Sequence, residues 1–136
     1  MVASANVQTL HPHQERRSYA RTTAALMLSK VQLFEQQFRS RGISSVGIQE
    51  GRAIKSERRE GVYFAMFTSA ADENGALGNQ QWLDRELHLH ILQWRAVSPR
   101  ILFAIITSPD QAVFIFLTAH APIAAAAEDD RLAFWS

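Results

Sequence analysis

Cysteine is absent from the 136-residue sequence, and every apolar run is short. Without cysteine the chain can form neither disulfide bonds nor thiolate metal sites, and nothing indicates its redox compartment. The opening stretch MVASANVQTLHPHQERR lacks the apolar core of a signal peptide. No run approaches the roughly 20 apolar residues that cross a membrane. These absences favour a soluble intracellular protein with no membrane partner.

An excess of one charge is also missing, since the formal net charge is +1. The overall charge therefore gives no argument for nucleic-acid binding, and only local clusters of cations could do so. The composition is 47% hydrophobic and 20% charged, which is typical of a globular protein and not of a disordered one. A chain of this length predicts one domain over residues 1–136.

The first half of the sequence has the pattern of a β-α-β unit. Ala3–Leu10 is typical of a strand, and Ser18–Arg41 is typical of a helix that stops at Gly42. An apolar stripe runs along the helix at spacings of four, three and four residues, formed by Met27, Val31, Phe34 and Phe38. The segment ISSVGIQ then predicts a second strand, parallel to the first.

Strands dominate the second half. After a polar loop over Arg52–Gly61, we expect strands at VYFAMFTSA, LGNQQWLDREL, ILFAIITS and AVFIFLTAH, the first two of them paired through a turn at Asn74-Gly75. The last two runs are almost continuously apolar, so both of their faces should be covered. The final segment APIAAAAEDDRLAFWS begins as a loop and turns helical. The element order β-α-β-β-β-β-β-α predicts an α/β (α+β) fold, a mixed β-sheet with outer helices.

The segment GISSVGIQEGR places a carboxylate, Glu50, directly behind an apolar strand. A carboxylate at the end of a core strand is costly unless it is paired or binds a cation. Two interpretations remain open. Glu50 could form an ion pair with Arg52 or a lysine at the rim of the sheet. It could instead be a ligand of Mg²⁺, which takes one or two carboxylates together with water and a phosphate oxygen.

Asn6 and His120 also end predicted strands. The parallel strands of a β-α-β unit bring Asn6 and Glu50 to the same edge of the sheet, where ligands usually bind. Asn6 could hydrogen-bond a phosphate oxygen or orient a neighbouring carboxylate, or it could simply form a turn. His120 is followed by Ala121-Pro122, which directs the chain out of the sheet and leaves the imidazole at the rim. It could be a structural donor or part of a site.

The remaining histidines and the cations have simpler interpretations. His88 and His90 are two residues apart, so on one face of a strand they could both bind a transition metal. No third ligand lies nearby in the sequence, which favours an exposed strand face. His11 and His13 flank a proline and are interpreted as solvated. Six cations are mixed with acids, as on a solvated face, although a ring of them at the strand ends could hold a phosphate backbone: Arg16, Arg17, Arg21, Lys55, Arg58 and Arg59.

Taken in order, four segments resemble the endonuclease/exonuclease/phosphatase superfamily: ANVQTL, GISSVGIQEGR, GALGNQQWL and HAP. The likeness is greatest to the endonuclease-like domains of retroelement reverse-transcriptase proteins, and it covers nearly the whole chain. The resemblance implies a two-sheet sandwich with outer helices and a nuclease, a hydrolase that cleaves phosphodiesters with Mg²⁺ or Mn²⁺. It implies DNA as the partner, and the nucleus as the compartment if the chain is part of a retroelement protein.

The resemblance also implies roles for single residues. Glu50 matches the family's metal-binding glutamate, and Asn6 matches the first-strand asparagine that supports the phosphate and metal site. His120 stands where the family often has a tyrosine that contacts phosphate. Gly51 would give the backbone room to turn behind Glu50, and Arg52 would stabilise the rim beside the phosphate.

The family's later motifs, an Asp/Asn pair and a terminal Asp-His pair, have no counterpart before Ser136, and Gln8 replaces the usual first-strand aspartate. We therefore expect residues 1–136 to be the N-terminal half of a four-layer αββα fold, truncated at its C-terminus and inactive alone. Its uncovered sheet would associate with the missing half or with another copy. The alternative is a non-catalytic remnant or binding module of a retroelement-derived protein, in which Glu50 is only part of a rim ion pair.

Overall fold

The computed structural model of the chain describes residues 1–6, 20–87 and 90–136, and for residues 5, 6 and 20–29 it describes the backbone. This described part forms eight strands and two helices. In chain order they are β1 Val2–Asn6, α1 Ala20–Ser40, β2 Ser45–Gln49, β3 Glu57–Glu60, β4 Phe64–Thr68, β5 Gln80–Asp84, β6 Ile91–Ser98, β7 Ile101–Thr107, β8 Val113–Ala119 and α2 Glu128–Trp135. Neither helix of the described part is long and apolar enough to cross a membrane.

The strands are arranged in two sheets. Five strands form a mixed sheet in the order β1-β2-β5-β4-β3, in which β1 and β2 run parallel and all other neighbours are antiparallel. Three strands form an antiparallel sheet in the order β6-β7-β8. The predicted class is confirmed, because the structure is a strand-rich α/β (α+β) fold with a mixed sheet, a second sheet and outer helices.

The helix α1 stops at Gly42, as predicted. Gly42 adopts a left-handed φ of 65°, and its N–H donates to the carbonyl oxygen of Arg39, while the N–H of Ile43 donates to that of Phe38. These two bonds satisfy carbonyl groups that the last helical turn would otherwise leave open. The predicted beginning of the helix at Ser18 lies outside the described residues.

The apolar stripe of α1 packs on one face of the five-stranded sheet. Val31, Phe34 and Phe38 lie against a buried cluster that consists of Ile43, Val46, Ile48, Phe64, Met66 and Trp82. The ring of Phe38 meets the rings of Phe64 and Trp82 edge to face, with centroids 6.3 Å and 6.0 Å away. Three of the four stripe residues therefore face the core, and the side chain of Met27 lies outside the described part.

The other face of the five-stranded sheet packs on the three-stranded sheet. Side chains alternate between the two faces of a strand, so β4 and β5 contribute to both interfaces and are buried throughout. The cluster between the sheets consists of Ala65, Phe67, Leu83, Leu102, Ala104 and Ile106. The layers therefore follow the order helix, five-stranded sheet, three-stranded sheet.

One carboxylate is buried beside the helix. Glu35 of α1 is 1% exposed, and its Oε1 accepts hydrogen bonds from the backbone N–H groups of Tyr63 at 2.9 Å and Phe64 at 3.1 Å. A buried carboxylate needs such donors, because it has given up its hydration. These two bonds fasten α1 to the turn between β3 and β4.

Two strands are missing from the sequence prediction. The predicted loop Arg52–Gly61 contains β3, whose four residues are all charged and show no apolar alternation. β3 pairs with β4 at the edge of the sheet, where charged residues are common because they discourage pairing with another chain. In β6, bulges near Leu92 and Val97 interrupt the period of two. Residues 7–10 of the predicted first strand lie outside the described part.

The prediction that both faces of the last two strands are covered is wrong for β8. β7 buries alternate residues against the first sheet, but β8 is an edge strand and most of its apolar side chains are exposed within the described part of the chain. α2 has no buried residue and leaves this surface open.

Candidate functional site

Two of the three predicted catalytic residues lie at the ends of neighbouring parallel strands. In the register of β1 and β2, Asn6 lies opposite Gln49, and Glu50 follows Gln49 directly. The expectation that Asn6 and Glu50 lie at the same edge of the sheet is therefore confirmed for the backbone. The side chain of Asn6 is outside the described part, so its contacts are not part of this geometry.

The third residue reaches this edge from the other sheet. His120 follows the last residue of β8, Ala119, whose carbonyl oxygen accepts a 2.8 Å hydrogen bond from Nε2 of Gln49. Gln49, which precedes Glu50, is therefore hydrogen-bonded to Ala119, which precedes His120. The structure places the ends of β1, β2 and β8 together, although β8 belongs to a different sheet and is separated from β2 by more than sixty residues of sequence.

The backbone at Glu50 adopts an uncommon conformation. Glu50 and Arg52 both have left-handed φ angles, of 58° and 51°, which cost free energy for residues with a side chain. Gly51, which we expected to provide the room for this turn, does not have a positive φ itself. A Cβ on Gly51 would lie 2.8 Å from Nε2 of Gln80. Glycine therefore leaves room for the Gln80 side chain of β5, whose end would have to shift to admit a larger residue, and the positive φ angles of the turn belong to the two neighbours of Gly51.

A second left-handed segment lies against the first. The carbonyl oxygens of Leu77 and Gly78 accept hydrogen bonds from the N–H groups of Arg52 at 2.9 Å and Gly51 at 2.8 Å. Leu77 and Gly78 have φ angles of 63° and 82°, and the N–H of Gly78 donates to the carbonyl of Pro99. Sparsely populated backbone conformations persist where the surroundings hold them in place, and they are concentrated at functional sites.

The carboxylate of Glu50 is half-buried. Four ion pairs occur in the described part of the chain, and none of them involves Glu50. The rim ion pair that the sequence left open for this residue is therefore not observed among the described residues. No ion pair with a described residue neutralises the Glu50 carboxylate, which lies where several strands end.

Asn79 lies beside the candidate site, and no feature of the sequence predicts its contacts. It is fully buried, and its Nδ2 donates to the carbonyl oxygens of Arg100 and Thr118. The N–H of His120 donates to the same carbonyl of Arg100 at 2.9 Å. In the sequence, Asn79 is marked only by its position directly after Leu77-Gly78, within the glycine-containing segment GALGNQQWL.

Two polar atoms beside this network make no hydrogen bond with the described residues. They are Oδ1 of Asn79 and Nδ1 of His120, and both are buried. Buried polar atoms are nearly always satisfied in folded proteins, so each exception calls for a specific partner. An acceptor and an imidazole nitrogen are therefore available next to the strand end that carries Glu50.

The alternative metal site that the sequence left open at the histidines is not seen in the described part. No group of three or more histidine or acidic side chains there could hold a metal ion. His90 is exposed, whereas His88, His11 and His13 lie outside the described residues, as do Arg16, Arg17 and the side chain of Arg21. Lys55 pairs with Glu57 at 3.0 Å and Arg58 with Glu60 at 2.7 Å, as the solvated-face interpretation predicts.

No family model matches this chain, and the search of curated proteins also finds no match. The functional assignment therefore depends on the geometry of the strand ends and on the resemblance of four sequence segments.

Proposed function

We propose that this chain is an endonuclease-like, metal-dependent phosphodiesterase domain that acts on nucleic acid, with its site at the ends of β1, β2 and β8. The main support is the position of Glu50. Its carboxylate is half-buried, has no ion pair in the described part of the chain, and follows the strand whose last residue is hydrogen-bonded to Ala119. Such a carboxylate is suited to bind a cation.

The donor chemistry at this edge fits Mg²⁺ or Mn²⁺. Mg²⁺ prefers oxygen ligands and retains several waters, so one carboxylate and a substrate phosphate are sufficient protein-side contacts. Glu50 would hold the ion. When bound, the ion would polarise a phosphoryl oxygen and stabilise the charge on the leaving oxygen. Binding through one carboxylate should be weak, in the millimolar range.

The remaining residues would bind the phosphate. His120 has a buried Nδ1 without a hydrogen bond to the described residues, and a protonated Nδ1 could donate to a phosphate oxygen. Asn6 would add an amide donor from the end of β1. Arg52, which follows Glu50 and Gly51, would add positive charge at the rim. Asn79 would position His120 by holding the carbonyl of Arg100.

A binding module without catalysis is the second candidate. It is favoured by the absence of any three-residue metal cluster in the described part of the chain. In this case the same edge would bind a phosphate through His120 and Arg52, and cleavage would not occur. DNA binding independent of Mg²⁺ distinguishes this candidate from the first.

Metal titration followed by amide NMR tests the proposal. Mg²⁺ should shift the amide signals of Gln49, Gly51 and His120, and Mn²⁺ should broaden the same signals. Glu50→Gln should abolish both effects. The matched control Glu73→Gln, a carboxylate in an exposed turn, should leave them unchanged.

Unchanged shifts in Glu50→Gln would remove the metal site from the proposal. Cleavage of a DNA oligonucleotide in the same samples then separates the two candidates. Metal-dependent cleavage that is lost in Glu50→Gln supports the phosphodiesterase, whereas DNA binding without metal dependence supports the binding module.

A further inference from the structure

Among the described strands, β8 is an edge strand of the three-stranded sheet, and none of them pairs with its outer side. It pairs with β7 and is the last strand in the order β6-β7-β8. The ladder is bounded by a hydrogen bond from Ser108 N–H to the carbonyl of Ala112 at one end and from His120 N–H to that of Arg100 at the other. Antiparallel residues alternate in their direction of bonding. The even-numbered residues of β8 therefore bond to β7, and the odd-numbered ones direct their N–H and C=O groups outward.

The same odd-numbered residues carry exposed apolar side chains. Val113, Ile115 and Leu117 are 60%, 67% and 62% exposed, and Phe114 on the inner face is 48% exposed. No charged residue or proline occurs from Ala112 to Ala119. Proteins usually protect an edge strand with charge, proline or a bulge. β8 has none of these, whereas the edge strand β3 of the other sheet is entirely charged.

The outward ladder has a defined length. Nε2 of Gln49 already bonds to the outward carbonyl of Ala119, so the ladder that remains for another strand runs from Val113 to Leu117. A second antiparallel copy centred on Ile115 would place Ile115 opposite Ile115 and Val113 opposite Leu117. In this register every remaining outward residue pairs with a residue of the second copy. A shift of the register by one pair would leave at least one of them unpaired.

We propose that β8 pairs with β8 of a second copy of this chain, antiparallel and about a two-fold axis through Ile115. The two three-stranded sheets then form one continuous sheet of six strands, in the order β6-β7-β8-β8-β7-β6. Such a contact is isologous, and so it closes as a dimer and does not propagate. On the inner face, Phe114 of each copy lies opposite Phe116 of the other.

Charge at the two ends of the ladder is complementary in this register. Asp110 in the turn between β7 and β8 falls opposite His120 of the second copy. His120 adjoins Arg100, whose guanidinium donates a 3.1 Å hydrogen bond to the His120 carbonyl. Each end of the paired strands therefore brings the acidic turn of one copy towards the basic end of the other, and this favours the antiparallel arrangement.

Sedimentation equilibrium of the full chain tests this dimer. The wild type should show a concentration-dependent species of twice the 15.3 kDa chain mass. Ile115→Lys, which places two like charges on the two-fold axis, should be monomeric with an unchanged circular dichroism spectrum. Val97→Lys is the matched control, because Val97 is an exposed apolar residue on the opposite edge strand, β6. It should still form the dimer.

A single introduced cysteine tests the register, since the natural chain has none. Opposite residues of an antiparallel pair have Cα atoms about 5 Å apart, which is within reach of a disulfide. Ile115→Cys should give a disulfide-linked dimer on mild oxidation, and Val97→Cys should not. A monomer at all concentrations, larger aggregates that persist in Ile115→Lys, or cross-linking through Val97→Cys would each overturn the proposal. A monomeric result here leaves the proposed metal ligand Glu50 unaffected, because Glu50 is not among the paired residues 110–120.

Discussion

The side-chain amide of Asn79 donates a hydrogen bond to the carbonyl oxygen of Arg100, and the same nitrogen lies 3.2 Å from the carbonyl oxygen of Thr118. Asn79 directly precedes β5 in the first sheet, whereas Arg100 precedes β7 and Thr118 lies near the end of β8 in the second. One buried amide therefore joins the two sheets at the edge where the candidate site lies. The stability of the fold and the position of His120 should both depend on this amide.

Asn79→Asp keeps the shape of the side chain but replaces the N–H donor with an ionised carboxylate oxygen. That oxygen would lie against the carbonyl oxygens of Arg100 and Thr118, which are acceptors. We expect the free energy of unfolding at pH 7 to fall by about 3 kcal/mol. Burial and the lost donor disfavour the charged form, so the pKa of the introduced carboxyl is higher in the folded than in the unfolded chain. The loss should therefore shrink as the pH falls through the raised pKa, because the neutral carboxyl can donate again. Urea unfolding at neutral and mildly acidic pH measures this change.

Asn74→Asp provides the control for this pH dependence, because Asn74 is exposed in the turn between β4 and β5. Its unfolding free energy should stay within about 0.5 kcal/mol of the wild type. A deficit in Asn79→Asp that is the same at both pH values would show that the amide is not the donor that joins the sheets.

Phe38→Ala should destabilise the fold by about 3 kcal/mol, because Phe38 packs edge to face against both Phe64 and Trp82. Both phenylalanines are half-buried, and Phe34→Ala should cost less because, among the described residues, the ring of Phe34 meets one aromatic ring, that of Phe38. Leu33→Ala is the control on the same helix, where the side chain is 53% exposed. Denaturant unfolding gives all three values, and an equal loss in Leu33→Ala and Phe38→Ala would contradict the orientation of α1.

A hydrogen bond from the Ser108 hydroxyl lowers the pKa of Asp110 below its ordinary value. The folded pKa is thus below the unfolded one, so the bond stabilises the fold at neutral pH, and this contribution is lost as the pH falls through the folded pKa. An NMR titration of the Asp110 carboxyl should show a midpoint below the ordinary aspartate value, and Ser108→Ala should raise it towards that value, while the backbone hydrogen bonds keep part of the shift. A midpoint that does not respond to Ser108→Ala would exclude this hydroxyl as the cause.

The strand predictions succeed where burial follows the regular alternation of side chains. β4 and the α1 stripe each present apolar residues to a core at the period of their backbone, so their type could be predicted. β3 could not be predicted, because Glu57–Glu60 has no apolar residue and becomes a strand by pairing with β4. β6 was missed because bulges near its two ends, at Leu92 and Val97, shift the period of its side chains.

The site was predictable in part for a related reason. Asn6, Glu50 and His120 each follow an apolar run, so the sequence indicates that they lie at strand ends. The parallel register of β1 and β2 follows from the helix between them, and it brings Asn6 and Glu50 to one edge. Asn79 was not predictable, because its role depends on carbonyl groups of Arg100 and Thr118, which are distant in the sequence.

The sequence by itself determines the helix that stops at Gly42 and the parallel strands β1 and β2 on either side of that helix. It also determines the carboxylate of Glu50 directly after β2. The tertiary structure alone decides that β7 and β8 form a separate sheet and that His120 reaches the edge of the first one. It also decides that β8 is an edge strand among the described strands. The physical reason is that an apolar run shows that a strand is suited to burial, whereas the surface that covers it, or leaves it exposed, consists of residues far away in the sequence.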